Sequence, residues 1–181
     1  MRLFLAIDIP QTIKTSLSQQ LNDLQKKHAV FNWVQEQNYH MTLQFFGETQ
    51  KIKEIIDKIK IALFEQEQFY LYATHLDLFM DKRIIIYVDF NREKSLEQLI
   101  KNVRSTFEEE FYETKKFTPH ITVSRSSIPS KQQYFHLQKK IRMRNIELEF
   151  QVTELSLFES IQNGKKSHYR KIKTFPLLDR I

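Results

Sequence analysis

The chain has 181 residues, with 28 Lys and Arg against 22 Asp and Glu, for a formal net charge of +6. It has no cysteine, which excludes thiolate metal sites, iron–sulfur clusters, disulfides and a cysteine nucleophile. Its two glycines, Gly47 and Gly164, stand far apart, which excludes the glycine-rich loops that bring backbone up to phosphate oxygens in Rossmann and P-loop proteins. The length fits a single domain over residues 1–181. The positive balance suits polyanionic partners and equally suits solvated lysine-rich faces, and the absence of cysteine fits a cytoplasmic protein. Leu3 to Ile7 is too short for a signal-peptide core, and no stretch approaches membrane length, so no membrane association is expected.

Leu3 to Ile9 reads as a buried strand that Pro10 stops, and Pro10 is placed to open a helix. Ile13, Leu17, Leu21 and Leu24 recur at helical spacing as far as His28. Phe31 to Val34 and Tyr39 to Phe46 look extended, with Gly47 ending the second. Thr49 is placed to cap a helix whose stripe is Ile52, Ile55, Ile56, Ile59 and Leu63. Phe69 to Leu78 and Arg83 to Phe90 read as strands joined at Met80–Lys82. A third helix carries Leu96, Leu99, Ile100, Val103, Phe107 and Phe111, and a strand follows at Thr118 to Ser124. Ser130 to Asn145 reads as helical through Tyr134, Leu137 and Ile141. Ile146 to Phe158 and His168 to Leu177 close the chain as strands around a turn at Asn163–Gly164. No linker interrupts the pattern, a strand–helix order recurs coarsely after Asn91, and the sheets should be mixed or antiparallel.

Two segments match. His40-Met41-Thr42-Leu43 and His120-Ile121-Thr122-Val123 share the order His, apolar, Thr, apolar. Neighbours on a strand alternate faces, so each segment buries an aliphatic pair and presents an imidazole beside a hydroxyl. Two imidazoles with ordinary pKa near ~6.5 can supply one base and one acid at once. Threonine hydroxyls can donate hydrogen bonds to the non-bridging oxygens of a phosphoryl group. The pattern therefore points to phosphoryl transfer without a metal. A two-histidine metal site would need further ligands at helical or turn spacing, and the sequence does not supply them.

On these motifs the chain resembles the two-histidine (2H) phosphoesterases, and within them the RNA 2′,3′-cyclic phosphodiesterases once described as 2′-5′ RNA ligases. Arg2 to Pro10 is similar to the family's opening strand, and His40 to Glu48 and Thr118 to Arg125 to its two motif blocks. Leu155 to Ser160, Tyr169 and Phe175 to Leu177 are similar to its closing hairpin. The resemblance implies an α+β fold of two pseudo-symmetric lobes, each with a mixed or antiparallel sheet flanked by helices and each carrying one motif, with the active groove between them. It implies hydrolysis of an RNA terminal 2′,3′-cyclic phosphate to a 2′-phosphomonoester, with His40 as proton donor, His120 as proton acceptor, and Thr42 and Thr122 holding the phosphate. It further implies no cofactor and no metal, RNA or oligonucleotide ends as partners, a monomer, and a minor 2′-5′ RNA ligase activity. The alternatives are another cyclic or 2′-5′ nucleotide substrate at the same site, or a basic RNA-binding module without catalysis. The family's glycines and proline are absent from the segment matching Ala73 to Arg83, and Leu43 and Val123 do not match each other.

Further candidates surround the motifs. Arg125 is a possible phosphate or backbone ligand: an extended strand puts it on the face opposite His120, and a turn would bring it back. Phe45, Phe79, Tyr112 and Phe117 can stack on a base, although strand aromatics are usually core. His168 and Tyr169 read as surface residues, and His28, His75 and His136 as structural ones. Asp8 either orients an imidazole or ends its strand. The densest basic stretches are Lys139 to Arg144 and Lys165 to Lys173.

Overall fold

Alternating burial builds most of the strands. The computed structural model describes residues 1–80, 83–108, 116–127, 130–164 and 166–179. In chain order the elements are β1 (Arg2–Asp8), α1 (Gln11–Lys27), a 3-10 turn (Glu36–Asn38), β2 (His40–Glu48), α2 (Ile52–Ala62), β3 (Phe69–Met80), β4 (Ile84–Phe90), α3 (Lys94–Thr106), β5 (His120–Ser126), α4 (Lys131–Arg142), β6 (Asn145–Val152), β7 (Glu154–Asn163) and β8 (Lys166–Pro176). They form two four-stranded antiparallel sheets, ordered β2-β1-β7-β8 and β5-β4-β3-β6. This is the α+β, two-lobed architecture expected, and both motif strands are edge strands that lie against each other.

A continuous core runs through both lobes, from Leu3, Leu5 and Ile7 of β1 to Ile121 and Val123 of β5 and Leu155 and Leu157 of β7. At ~25 cal/mol per Å², each large aliphatic buried this way contributes roughly 1.5–3 kcal/mol. The helices bury the stripes their periodicity defines: Leu17, Leu21 and Leu24 in α1, and Leu96, Leu99, Ile100 and Val103 in α3. α4 is opened by a capping box in which Ser130 and Gln133 satisfy each other's backbone amides. A second, small cluster of Phe4, Ala6 and Phe158 occupies the other face of the first sheet, with Tyr169 packed on it.

Three expectations are corrected and a fourth is made more specific. Ile146 to Phe158 is two strands in different sheets: the chain changes lobes at Thr153, whose carbonyl accepts from Leu177 N at 2.9 Å. Thr49 does not cap α2; Lys51 is the N-cap residue, and the Thr49 hydroxyl accepts from Lys51 N at 3.1 Å just before the helix. Gly47 does not end β2, which runs on to Glu48 through a positive φ of 67° at Gly47, a conformation glycine reaches without strain. Phe31 to Val34 is extended but belongs to neither sheet. It lies along β5 instead, with Val34 N donating to Val123 O at 2.9 Å and Arg125 N to Asn32 O at 3.0 Å, and so ties the lobes together. Asp81, Phe111, Tyr112 and Lys165 lie outside the described residues.

Candidate active site

Both motif strands carry the same local geometry. His40 Nδ1 lies 2.7 Å from the carbonyl of Asn38, and His120 Nδ1 lies 2.8 Å from the carbonyl of Thr118. A carbonyl oxygen only accepts, so in each ring Nδ1 carries the hydrogen and Nε2 is left to take or give a proton. The partner strands repeat the match: Asp8 of β1 stands across from His40, and Asp89 of β4 stands across from His120.

Each motif strand bulges by one residue directly after its threonine. Leu5 faces Gln44 while Ala6 faces Thr42, so Leu43 is the extra residue; Ile86 faces Ser124 while Tyr87 faces Thr122, so Val123 is its counterpart. The bulge breaks the alternation of faces. Leu43 with Gln44, and Val123 with Ser124, all turn inward, and the following Phe45 and Arg125 emerge beside the histidines. Of the two placements the sequence left open for Arg125, the bulge gives the one on the His120 side.

His40, Thr42, His120, Thr122 and Arg125 line one cavity of about 660 Å³ between the sheets. Exposed Phe45 and Phe79, together with Phe117 at the core's edge, line it too. Aromatic rings hold both imidazoles: Phe4 and Tyr169 flank His40 with centroids at 5.1 and 4.9 Å, and Tyr87 and Phe79 flank His120 at 5.5 and 6.0 Å. Tyr169 is therefore no surface residue but a wall of the His40 site. Its one signal in the sequence is its place in the closing hairpin of the resemblance.

Burial is the main influence on both imidazoles and disfavours their charged forms. It pushes His40 down to about 4 and lowers His120, in each case against the hydrogen bond to the backbone carbonyl. The Arg125 guanidinium lowers both as well, so one cation acts on two imidazoles from different lobes. Both shifts favour the neutral rings at neutral pH.

The His40 side is braced further. All three residues of the 3-10 turn before it are anchored: Glu36 accepts from Gln11 at 2.9 Å and Thr15 at 2.8 Å, the Gln37 carbonyl accepts from Lys14 at 3.2 Å, and Asn38 Nδ2 donates to Ser167 O at 2.9 Å. Lys14 is buried and pairs with Asp8 at 2.8 Å, while Lys171 pairs with Asp8 at 2.9 Å. Together the lysines more than offset burial and hold the Asp8 carboxyl below its ordinary value. Asp8 therefore organises cations beside the site instead of taking the imidazole hydrogen. His75, read as structural, bonds Asp89 at 3.2 Å, and His28 stacks on Phe31. Among the described residues no three His, Asp or Glu side chains converge as a metal site would require.

A family model matches residues 13–164, under the description 2′-5′ RNA ligase superfamily. The chain belongs to this superfamily. Among its relatives, the RNA 2′,3′-cyclic phosphodiesterase of Thermotoga maritima is 30% identical over 130 residues, 69% of this chain and 70% of that one. The protein of the same name from Methanocaldococcus jannaschii is 27% identical over 191 residues, covering 96% of this chain and 99% of its own. E. coli LigT, solved in complex with 3′-AMP, aligns over 97% of both chains with a TM-score of 0.76 and 25% identity. TT0787 of Thermus thermophilus shares the fold with a TM-score of 0.76, at 22% identity over 98% of both chains. Membership in the 2′-5′ RNA ligase superfamily thus agrees with the two-sheet architecture. Among the described residues no helix is long and apolar enough to cross a membrane.

Proposed function

We infer that the protein hydrolyses the terminal 2′,3′-cyclic phosphate of RNA to a 2′-phosphomonoester, without a metal, by paired action of His40 and His120. The observation that carries this reading is the cavity shared by His40, His120, Thr42, Thr122 and Arg125, contributed by equivalent strands of the two lobes. The names of the relatives support the same substrate class.

The reaction follows from the site's own groups. Water attacks phosphorus as His120 Nε2 takes its proton, and a new P–O bond forms. The P–O3′ bond breaks as His40 Nε2 gives its proton to the departing 3′ oxygen, leaving a 2′-phosphate and a 3′-hydroxyl. Thr42 and Thr122 donate to the non-bridging oxygens, and Arg125 offsets the charge that accumulates there. The anionic phosphate raises both lowered imidazole pKa values, so substrate binding itself recruits the catalytic proton. Afterwards the proton sits on His120 instead of His40 and returns through solvent.

The test is product analysis. An oligoribonucleotide ending in a 2′,3′-cyclic phosphate, incubated with the protein in EDTA and followed by ³¹P NMR, is expected to give a 2′-phosphomonoester. A 3′-phosphate product, or no turnover in EDTA, overturns the reading.

A further inference from the structure

A second cavity of about 450 Å³ opens beside the first and shares three residues with it: His40, Phe45 and Arg125. Its charge is one-sided. Arg2, Arg83 and Arg125 line it, no Asp or Glu does, and none of the three arginines pairs with a carboxylate among the described residues. The amides of Asn32, Gln35 and Gln162 and the indole of Trp33 complete the walls that matter here.

The basic stretches conspicuous in the sequence behave differently. Arg142 is held by Asp77, Arg144 by Asp23, Arg170 by Glu159 and Lys171 by Asp8. Among the described residues, Arg2, Arg83 and Arg125 pair with no carboxylate; they lie far apart in the chain and meet in this cavity. Unneutralised guanidinium groups gathered in a concave site favour phosphate, which they can hold through two hydrogen bonds each.

We propose that this second cavity binds the nucleotide preceding the terminal one, with Arg2 and Arg83 on the phosphodiester that joins them. The proposal rests on the reading that His40 and His120 act on the terminal cyclic phosphate. With that phosphate between the imidazoles, the terminal nucleoside fills the larger cavity against Phe45, Phe79 and Phe117. The chain then leaves past the His40 side, where the second cavity begins. The substrate class narrows accordingly, from any cyclic phosphate to the end of an oligonucleotide. Amides and an indole without a base-specific pocket suit a nucleotide held by its backbone and a stacked ring.

Trp33 is the chain's single tryptophan, so its emission reports on this cavity alone. Adenosine 2′,3′-cyclic phosphate is compared with the dinucleotide ApA carrying the same cyclic terminus, and the corresponding 2′-phosphorylated products serve as stable binding probes. The dinucleotide probe should change Trp33 fluorescence while the mononucleotide probe does not, and kcat/KM should favour the dinucleotide by at least tenfold. Arg2→Gln and Arg83→Gln, at two exposed positions, should each lower dinucleotide kcat/KM about tenfold and leave the mononucleotide within twofold. Each should also flatten the slope of log affinity against log salt by about 0.7. Equal kcat/KM for the two substrates, or equal losses on both in the arginine variants, overturns the proposal. Failure to hydrolyse either substrate overturns the underlying reaction instead. In that event the Trp33 titrations decide this proposal alone: a response to the dinucleotide probe that both arginine variants weaken sustains it, and no response overturns it.

Discussion

Phe45 and Arg125 hold the same position in two different sheets, each emerging three residues after a motif threonine because a one-residue bulge turns it onto the groove. The same backbone device thus places an aromatic ring on one side of the site and a cation on the other. Arg125→Gln should lower kcat/KM roughly 10- to 100-fold, the usual scale for a charged hydrogen bond. Because the guanidinium lowers both imidazoles, the variant's pH profile should also move to higher pH. A rate loss with an unmoved profile would place Arg125 away from the histidines.

The pH dependence of the native protein has a determined sign. Burial holds His40 at about 4 and lowers His120, so both macroscopic pKa values of the free pair lie below the ordinary ~6.5. The form with one proton on the pair therefore thins out as pH rises, and kcat/KM should fall about tenfold per unit above pH ~6.5. The kcat profile reports the complex, where the bound anion raises both groups, and should sit at higher pH. Rate profiles for the two constants, measured on one substrate, check this.

Thr42 and Thr122 stand in equivalent places beside the imidazoles, and valine has nearly their shape. Thr42→Val and Thr122→Val should each cost about 10²-fold in kcat, toward the lower end of what an oxyanion donor supplies, with KM little changed. Steady-state kinetics decides it, and a loss confined to KM would make the hydroxyls binding groups only.

Lys14 acts on the site through the turn before His40. Lys14→Met keeps the buried stem but leaves the Gln37 carbonyl without its donor, and leaves Asp8 with Lys171 alone. Urea unfolding should show a loss of about 1–3 kcal/mol. The kcat should fall about tenfold with KM unchanged, since the Asn38 carbonyl that fixes the His40 tautomer loses its neighbour's anchor.

Much of this was legible in the residues. Helical stripes marked α1 to α3, and Tyr134, Leu137 and Ile141 marked α4. The strand alternation put each histidine beside its threonine. What alternation cannot reveal is where it breaks. Leu43 and Val123 are ordinary apolar residues, and only the partner strands show that they are extra. The change of sheet at Thr153 was hidden for a similar reason, since no glycine or proline marks it and β6 runs into β7 as one apolar pattern. Tyr169 reached His40 from a strand 129 positions later, and charge density alone does not mark the site, since carboxylates hold Arg142, Arg144, Arg170 and Lys171 of the conspicuous clusters.

The most direct test compares His40→Ala, His120→Ala and the double variant on one cyclic-phosphate-terminated oligonucleotide. If both imidazoles serve one phosphorus, each single change should cost at least ~10²-fold in kcat. The double change should then cost far less than the product of the two, because groups acting as a unit are not additive. A single variant that keeps the native rate would contradict the account.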